Sequence, residues 1–220
     1  MRGMPECSAV LTESRACALQ RTEAALLAPF LRTSNGTHAL HLRRAGLMGA
    51  ALPESANGLG HWTRLELDGE AWHGSVRALA CEMPFAEDSF ALLVVSHVLE
   101  ATPTPTPATL IAELARVAMP GARVLLCGFT AWHPQAWWLR QRARRVGVPC
   151  HLRSARALSS LLRAHGFERE LMQRQGSSYL LVVRKRRASA RILLLTREPR
   201  GAFAGRRVPV LPGGTQRAAS

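Results

Sequence analysis

The chain has 220 residues, of which 47% are hydrophobic and 20% are charged, and it carries a formal net charge of +14. These proportions suit one globular domain with or without a tail, and they exclude a disordered or fibrous protein. The positive charge lies in the second half, because residues 1–110 carry 8 Arg against 11 Asp or Glu and residues 111–220 carry 21 Lys or Arg against 4 acids.

The cysteines and the hydropathy pattern indicate the cellular compartment of the protein and whether it holds a metal. The five cysteines include no Cys-x-x-Cys pair, so they indicate neither a zinc site nor a disulfide framework, and we expect no metal. No run approaches the ~18 apolar residues of a membrane span, and Met1–Val10 lacks the charged-then-apolar order of a signal peptide. We therefore expect a cytoplasmic protein that makes no membrane contact.

The first elements are a helix and two strands. Apolar residues at helical spacing predict an amphipathic helix over Leu11–Leu31, which ends before the turn-forming residues 34–36. Strands are expected at Thr37–Leu42 and His61–Asp68, with a Gly- and Ala-rich loop over Arg43–Gly60 between them.

The middle of the chain alternates strand and helix. Ser75–Ala80 is a weaker strand candidate, whereas the continuous apolar run Ala91–Val95 predicts a strand that is buried on both faces of a parallel sheet. Thr106 as N-cap and Pro107 at the first helical position predict the start of a helix, which Pro120-Gly121 should end.

The remaining elements are two helices between strands. A strand is expected at Arg123–Phe129, followed by a helix at Pro134–Val146 and a second helix capped by Ser154. Phe167–Met172 and Tyr179–Arg184 predict a last antiparallel pair, and the tail beyond it contains one strand-like run at Ile192–Leu195. This alternation predicts an α/β domain with a mostly parallel sheet.

Two segments carry a family resemblance. Residues 83–100 read MPFAEDSFALLVVSHVLE and resemble the LPF-x-x-x-SFD-x-V-x-x-x-x-x-L-E segment of class I S-adenosylmethionine-dependent methyltransferases of type 11. Residues 114–126, LARVAMPGARVLL, are similar to the LARVLKPGGRLLI helix, turn and strand that follow it in that family. The resemblance extends loosely over residues 36–187.

The resemblance implies a fold, a reaction and a division of the chain. The fold would be the Rossmann-like class I methyltransferase fold, with a mostly parallel central sheet, an antiparallel last strand and helices on both faces. The reaction would be methyl transfer from S-adenosylmethionine to an unidentified acceptor. Residues 1–35 would then form an N-terminal helical segment, 36–187 the methyltransferase-like domain, and 188–220 a basic tail.

The resemblance also implies a cofactor site at the carboxyl ends of the central strands, where open α/β sheets bind ligands. The residues implied in cofactor binding are Gly46, Asp68, Met83, Pro84 and His97. No catalytic residue is assigned, because methyl transfer from an activated sulfonium depends mainly on positioning.

Each of these residues has an alternative role. Asp68 would accept hydrogen bonds from the ribose hydroxyls, with Glu66 as the other candidate acid, or it is simply a solvated strand end. Met83 and Pro84 would contact the cofactor. Alternatively, they pack in the core, and Pro84 forms a turn in either case. His97, with Glu100, has a substrate or cofactor role or forms a solvated helix start.

Departures from the family pattern define a second hypothesis. The segment after the first strand, residues 41–49 (HLRRAGLMG), keeps two glycines at a different spacing from Gly-x-Gly-x-Gly. Leu79 stands where the family often places an acid near the adenine, and Ala91 replaces the Asp of SFD. The alternative function is therefore a catalytically inactive methyltransferase-like module that binds RNA or a protein partner through its Arg-rich half.

The candidate RNA surface combines cations and aromatic rings, as RNA-binding surfaces do. Its cations are Arg140, Arg142, Arg144 and Arg145, and its aromatic neighbours are Trp132, Trp137 and Trp138. In the alternative interpretation, the tryptophans anchor this helix over the sheet and the arginine stems cover apolar surface.

Overall fold

The computed structural model describes residues 13–45, 58–79, 81–101, 106–145 and 151–187. Gly46, most of the loop expected at Arg43–Gly60, and the tail 188–220 with its strand-like run Ile192–Leu195 lie outside these ranges. Among the described residues, no helix is long and apolar enough to cross a membrane.

The described residues form helices and strands in the following order. They are α1 (Glu13–Thr33), β1 (Gly36–Arg44), β2 (Leu59–Asp68), β3 (Ala71–Gly74), β4 (Ala78–Leu79), β5 (Phe90–Ser96), α2 (Val98–Ala101), α3 (Pro107–Val117), β6 (Ala118–Phe129), α4 (Pro134–Arg145), α5 (Ala155–Ala164), β7 (Phe167–Gln175) and β8 (Ser178–Lys185).

All the strands belong to one sheet in the order β4-β3-β2-β1-β5-β6-β8-β7. β2, β1, β5 and β6 are mutually parallel, and β8 lies antiparallel to both β6 and β7. The mostly parallel sheet with an antiparallel last pair is confirmed. The continuous apolar run of β5 is explained by its central place, because both of its faces are covered.

The two faces of the sheet pack against different helices. Alternate side chains of the central strands, among them Leu42, Val95 and Leu126, pack with α3 and α5. The intervening side chains, among them Val94 and Leu125, pack with the apolar stripe of α1. Helices therefore lie on both faces, as the resemblance implied.

Both predicted helix caps are present. The Thr106 side chain accepts a hydrogen bond from the Thr109 amide at 3.2 Å, and Ser154 accepts one from the Ala157 amide at 3.2 Å. α3 ends at Val117, two residues before the last position that a stop at Pro120-Gly121 allows. Ala118 is already extended and pairs with Phe90, so β6 begins before the proline.

The edge of the sheet beyond β2 differs from the prediction. β2 turns back through Gly69, whose φ is +58°, into the antiparallel strand β3, where Trp72 is fully buried. Within the described residues 75–79 of the candidate strand Ser75–Ala80, only Ala78–Leu79 is a strand, and it pairs with β3. The parallel part of the sheet therefore ends at β2 on this side.

Candidate functional site

The carboxyl ends of β1, β2, β5 and β6 meet at one edge of the sheet, which is where ligands of open α/β sheets bind. The register places Arg43 of β1 between Glu66 of β2 and Ser96 of β5. Asp68 follows Glu66 on β2, and His97 follows Ser96 of β5. These two residues therefore flank the end of β1 on opposite sides. The structure thus brings two of the predicted site residues to the same edge.

At the β2 side of this edge, the two candidate acids differ in their surroundings. Glu66 forms an ion pair with Arg43, and both side chains are partly exposed. Asp68 is exposed at the last position of β2, just before the Gly69 turn. Because Glu66 is already paired with a cation, Asp68 is the better acceptor for hydroxyl groups of a ligand.

Behind this edge lies a buried histidine. His41 of β1 is 3% exposed, and its Nε2 lies 3.3 Å from the Ser96 hydroxyl. Burial, together with the positive charges of Arg43 and Arg64, lowers the pKa of His41 from 6.5 to about 4. The imidazole is therefore neutral at pH 7, and the cations nearby favour that neutral state.

On the β5 side, His97 is buried rather than solvated, so the expectation of a solvated helix start is wrong for this residue. Its backbone lies in the left-handed region, with φ +57°, and its amide donates to the Cys127 carbonyl at 3.0 Å. Its ring lies 4.2 Å from the ring of Phe129. A non-glycine residue in this conformation costs about 1–3 kcal/mol, and such residues cluster at functional sites.

A carboxylate from α1 reaches this histidine. His97 Nε2 lies 2.5 Å from Glu23 Oε1, which also accepts a hydrogen bond from the Ser178 hydroxyl of β8 at 3.2 Å. Glu23 is fully buried, and its other oxygen, Oε2, has no hydrogen-bond partner. α1 thus contributes a buried acidic group to the carboxyl end of the sheet.

Sequence reasoning missed Glu23 and Ser178. A signal for Glu23 was present, because it lies four residues after Leu19 and four before Leu27, on the buried stripe of α1. An acid on an apolar stripe indicates a buried partner.

The segment that carries the resemblance at Met83–Phe85 is held by an ion pair of α3. Arg116 donates to the carbonyls of Met83 at 2.9 Å and Phe85 at 2.7 Å, and it contacts the carboxylate of Glu113 at 2.8 Å. Glu113 in turn accepts from the Met83 amide at 3.0 Å. The hydrogen bond from Arg116 lowers the pKa of Glu113, and the same pair raises the pKa of Arg116.

The side chains of this segment point to different environments. Met83 lies in the hydrophobic core, Pro84 is exposed, and Phe85 is half-buried with its ring edge-on to Phe90 at 5.0 Å. Contacts with Phe90 and Arg116 hold this segment at the start of β5 and the end of α3, which is the amino end of the central strands and not the edge that carries Asp68 and His97. Leu79, at the position where an acid was sought, is 63% exposed on the edge strand β4.

The basic surface on α4 is solvated. Arg140, Arg144 and Arg145 are exposed, whereas the side chains of Trp138 and Arg142 lie outside the described part. Trp137 is 64% exposed and Trp132 is 91% exposed. These two tryptophans do not anchor the helix on the sheet, so that interpretation is wrong for both.

The polar side chains at this edge of the sheet fit two parts of S-adenosylmethionine, the ribose and the methionyl carboxylate. The exposed carboxylate of Asp68 suits the ribose hydroxyls, and the cation of Arg44 at the end of β1 suits the methionyl carboxylate. The described residues contain no group of three His, Cys, Asp or Glu that could hold a metal ion.

Comparisons with known proteins bear on the fold that carries this edge. Residues 36–126 match the family model of the methyltransferase domain, which spans β1 to most of β6. No curated protein matches the chain at a significant level.

Solved structures show the same fold. A "putative methyltransferase" from Bacillus halodurans is 16% identical, with a TM-score of 0.53, over 73% of this chain and 98% of that one. A SAM-dependent methyltransferase from Thermotoga maritima is 10% identical, with a TM-score of 0.52, over 79% and 94%. A chain from the complex between the Haloferax volcanii Trm112 methyltransferase activator and the "putative methyltransferase" is 12% identical, with a TM-score of 0.52, over 82% and 98%.

Proposed function

We propose that the chain is a class I S-adenosylmethionine-dependent methyltransferase, because residues 36–126 match the methyltransferase domain model, and that it transfers a methyl group from S-adenosylmethionine to an acceptor. The observation that carries the proposal is the placement of Asp68 and His97 on either side of the end of β1. We propose residues 36–187 as the transferring domain, with residues 1–35 and 188–220 as additions, and the reducing cytoplasm as its compartment.

The chain's residues have the following proposed roles. When bound, the cofactor supplies a methyl group already activated on a sulfonium, so positioning provides most of the catalysis. Asp68 accepts hydrogen bonds from the ribose hydroxyls, and Arg44 faces the methionyl carboxylate. Gly46, Met83 and Pro84 stay predictions as further cofactor-binding residues, and Gly46 lies outside the described residues.

His97 and Glu23 form the acceptor side of the proposed site. His97 lies at the carboxyl end of β5, and its ring is held between the Glu23 carboxylate and the ring of Phe129. Glu23 therefore orients the His97 ring, and we assign it as a positioning residue.

Calorimetric titration with S-adenosylmethionine and S-adenosylhomocysteine tests the proposal. We expect both to bind, and we expect Asp68→Asn to weaken binding by about 10- to 100-fold, the usual effect of losing hydrogen bonds to a charged group. Glu87→Gln is the matched control, because Glu87 is an exposed acid that precedes β5, at the opposite edge of the sheet.

Two results would contradict this proposal. An absence of binding at millimolar ligand would remove the transferase function. Equal affinities of Asp68→Asn and Glu87→Gln would remove Asp68 from the site while leaving cofactor binding in place.

The exposed cations and aromatic ring of α4 support a second candidate, a methyltransferase-like module that binds RNA. Arg140, Arg144 and Arg145 accompany the exposed ring of Trp137, and bases stack on such rings while cations contact phosphates. A protein partner is the other occupant proposed for this surface, and the Haloferax volcanii neighbour comes from a complex with an activator protein.

The salt dependence of binding to single-stranded oligouridylate tests the RNA candidate. Each phosphate contact adds about 0.7 to the slope of log affinity against log salt, so replacing the three α4 arginines by Gln should flatten that slope by about 2. The matched control replaces three exposed arginines elsewhere, Arg21, Arg32 and Arg163. Equal slopes for the two triple variants would remove α4 from the interface.

A further inference from the structure

A cavity of about 250 Å³ opens at the carboxyl end of β6, between the N-terminus of α5 and the β7–β8 pair. Phe129, Thr130 and Tyr179 line its floor, and Arg153, Arg156 and Arg174 complete its wall. None of these residues belongs to the proposed cofactor site. The cavity is therefore a separate feature of the same edge.

The cavity has an uncompensated positive charge. None of the ion pairs among the described residues involves Arg153, Arg156 or Arg174. The acids of the neighbouring strand β7 are already engaged, because Glu168 pairs with Arg186 and Glu170 pairs with arginines of β6 and β8. An anion in this cavity would meet three guanidinium groups that no described carboxylate neutralises.

Two buried polar atoms of the cavity lining lack partners. Arg153 Nε and Thr130 Oγ1 are both inaccessible to solvent, and neither makes a hydrogen bond. An unsatisfied buried donor costs about 1–3 kcal/mol, so native structures rarely leave one without a partner from a ligand or water.

The start of α5 adds to the positive electrostatic potential of the cavity. Ser154 caps the helix by accepting from the Ala157 amide, and Ser154, Ala155 and Arg156 all line the cavity. The first amides of this ten-residue helix carry partial positive charge, which favours an anion.

The cavity also adjoins the acceptor side of the proposed site. Phe129, which lines the cavity, contacts the ring of His97 at the end of β5. A ligand anchored in the cavity can therefore extend past Phe129 toward the place where the methyl group is proposed to be delivered. The volume falls below the roughly 300–1,000 Å³ of whole-ligand pockets, so the cavity suits one end of a ligand.

We propose that this cavity binds the phosphate group of a small phosphate monoester, and that this ester is the methyl acceptor. An oxygen or nitrogen of its organic part forms the new bond to the methyl carbon while the sulfur–methyl bond breaks. S-adenosylhomocysteine is the leaving group, and the proton of the acceptor atom goes to water. Arg153, Arg174 and Thr130 donate to the phosphate oxygens, since a guanidinium fork matches phosphate geometry. The aromatic rings of Phe129, Tyr179 and Trp132 contact the organic part. The role as acceptor depends on the proposed methyltransferase function, whereas phosphate binding does not.

Calorimetric titration of the full chain with phenyl phosphate, without S-adenosylmethionine, tests the binding site. Phenol is the neutral ligand control. We expect phenyl phosphate to bind and phenol not to bind, and we expect Arg153→Gln combined with Arg174→Gln to weaken binding at least about tenfold. The matched control is Arg163→Gln, an exposed arginine of α5 that does not line the cavity.

A second variant protects the test against loss of folding. Thr130→Val keeps the shape and the charge of the cavity and removes one donor, so it should weaken phenyl phosphate binding several-fold with an unchanged melting temperature. Affinities within twofold of the wild type for both cavity variants would overturn the inference, and so would equal binding of phenol.

S-adenosylhomocysteine titration of the same samples separates the two proposals. Binding of S-adenosylhomocysteine without phenyl phosphate would overturn the phosphate site and leave the methyltransferase function intact. Binding of phenyl phosphate without S-adenosylhomocysteine would support the site and overturn its role in methyl transfer.

Discussion

Nε2 of His97 lies 2.5 Å from Oε1 of Glu23, and each of the two side chains is 1% exposed. The pair links the helix that precedes the domain to the carboxyl end of the central strand β5. Because Ser178 of β8 donates to the same carboxylate oxygen, three distant segments converge on one buried group. α1 is therefore part of the candidate site as well as a cover for the sheet.

Replacing Glu23 by Ala should lower the free energy of unfolding by about 1–3 kcal/mol. The substitution removes the carboxylate that contacts the buried side chains of His97 and Ser178, and the loss of hydrogen bonds to a buried charged group has a cost of this size. Urea unfolding followed by tryptophan fluorescence measures the effect.

Arg21→Ala is the control for this prediction, because Arg21 is exposed on the same helix and its loss should change stability by no more than about 0.5 kcal/mol. Equal unfolding midpoints for the two variants would show that the Glu23 contacts contribute nothing to the fold.

Local signals in the sequence were sufficient for the parallel part of the fold. The run Ala91–Val95 predicted a strand buried on both faces, and β5 lies between β1 and β6. Thr106 and Ser154 predicted two helix starts within one residue, because capping depends on contacts three residues apart.

The edge hairpin was missed although its signal was present. The two-residue turn Gly69-Glu70 joins β2 to β3, and glycine at the first turn position between two strand-like segments is a hairpin signal. The prediction ended a strand at Asp68 and placed the next strand candidate only at Ser75–Ala80.

The candidate site was predictable only in part, because its contacts are distant in sequence. Asp68 and His97 could be placed at strand ends from the pattern. The contacts of Glu23 with His97 and Ser178 join residues 74 and 155 positions apart, and no local pattern encodes such pairs. Likewise, the cavity at Arg153 and Thr130 arises from the packing of α5 beside β6.

The buried His41 should make the protein less stable as the pH falls from 6.5 to about 4. In this range the unfolded chain binds a proton at this residue and the folded chain does not, so folding stability rises with pH. Each pKa unit corresponds to about 1.4 kcal/mol, and the loss between pH 7 and pH 5 should be about 2 kcal/mol. Urea unfolding at the two pH values measures it.

The variant His41→Asn should show a smaller loss of stability between pH 7 and pH 5, since it has no group that titrates at this position. Titrating carboxylates change the stability of the wild type and of this variant equally. The difference between their losses of stability is therefore the contribution of His41. His61→Asn, at an exposed histidine of β2, is the control and should keep the wild-type loss. The prediction is wrong if His41→Asn and the wild type lose the same free energy of unfolding between pH 7 and pH 5.

The ion pair of Glu113 and Arg116 should determine the order of the Met83–Phe85 segment. Glu113→Gln removes the charge from the carboxylate that contacts both Arg116 and the Met83 amide, and we expect a loss of about 1–2 kcal/mol at pH 7. The lowered pKa of Glu113 means that its contribution is present above pH 4.5 and is lost as the pH falls through the folded-state pKa. The difference in unfolding free energy between wild type and variant should therefore shrink in acid.

Hydrogen exchange of the Met83 amide should become faster in the Glu113→Gln variant, whereas Glu168→Gln, at an exposed ion pair with Arg186, should leave it unchanged. Unchanged exchange in Glu113→Gln would show that the segment is held by core packing of Met83 alone.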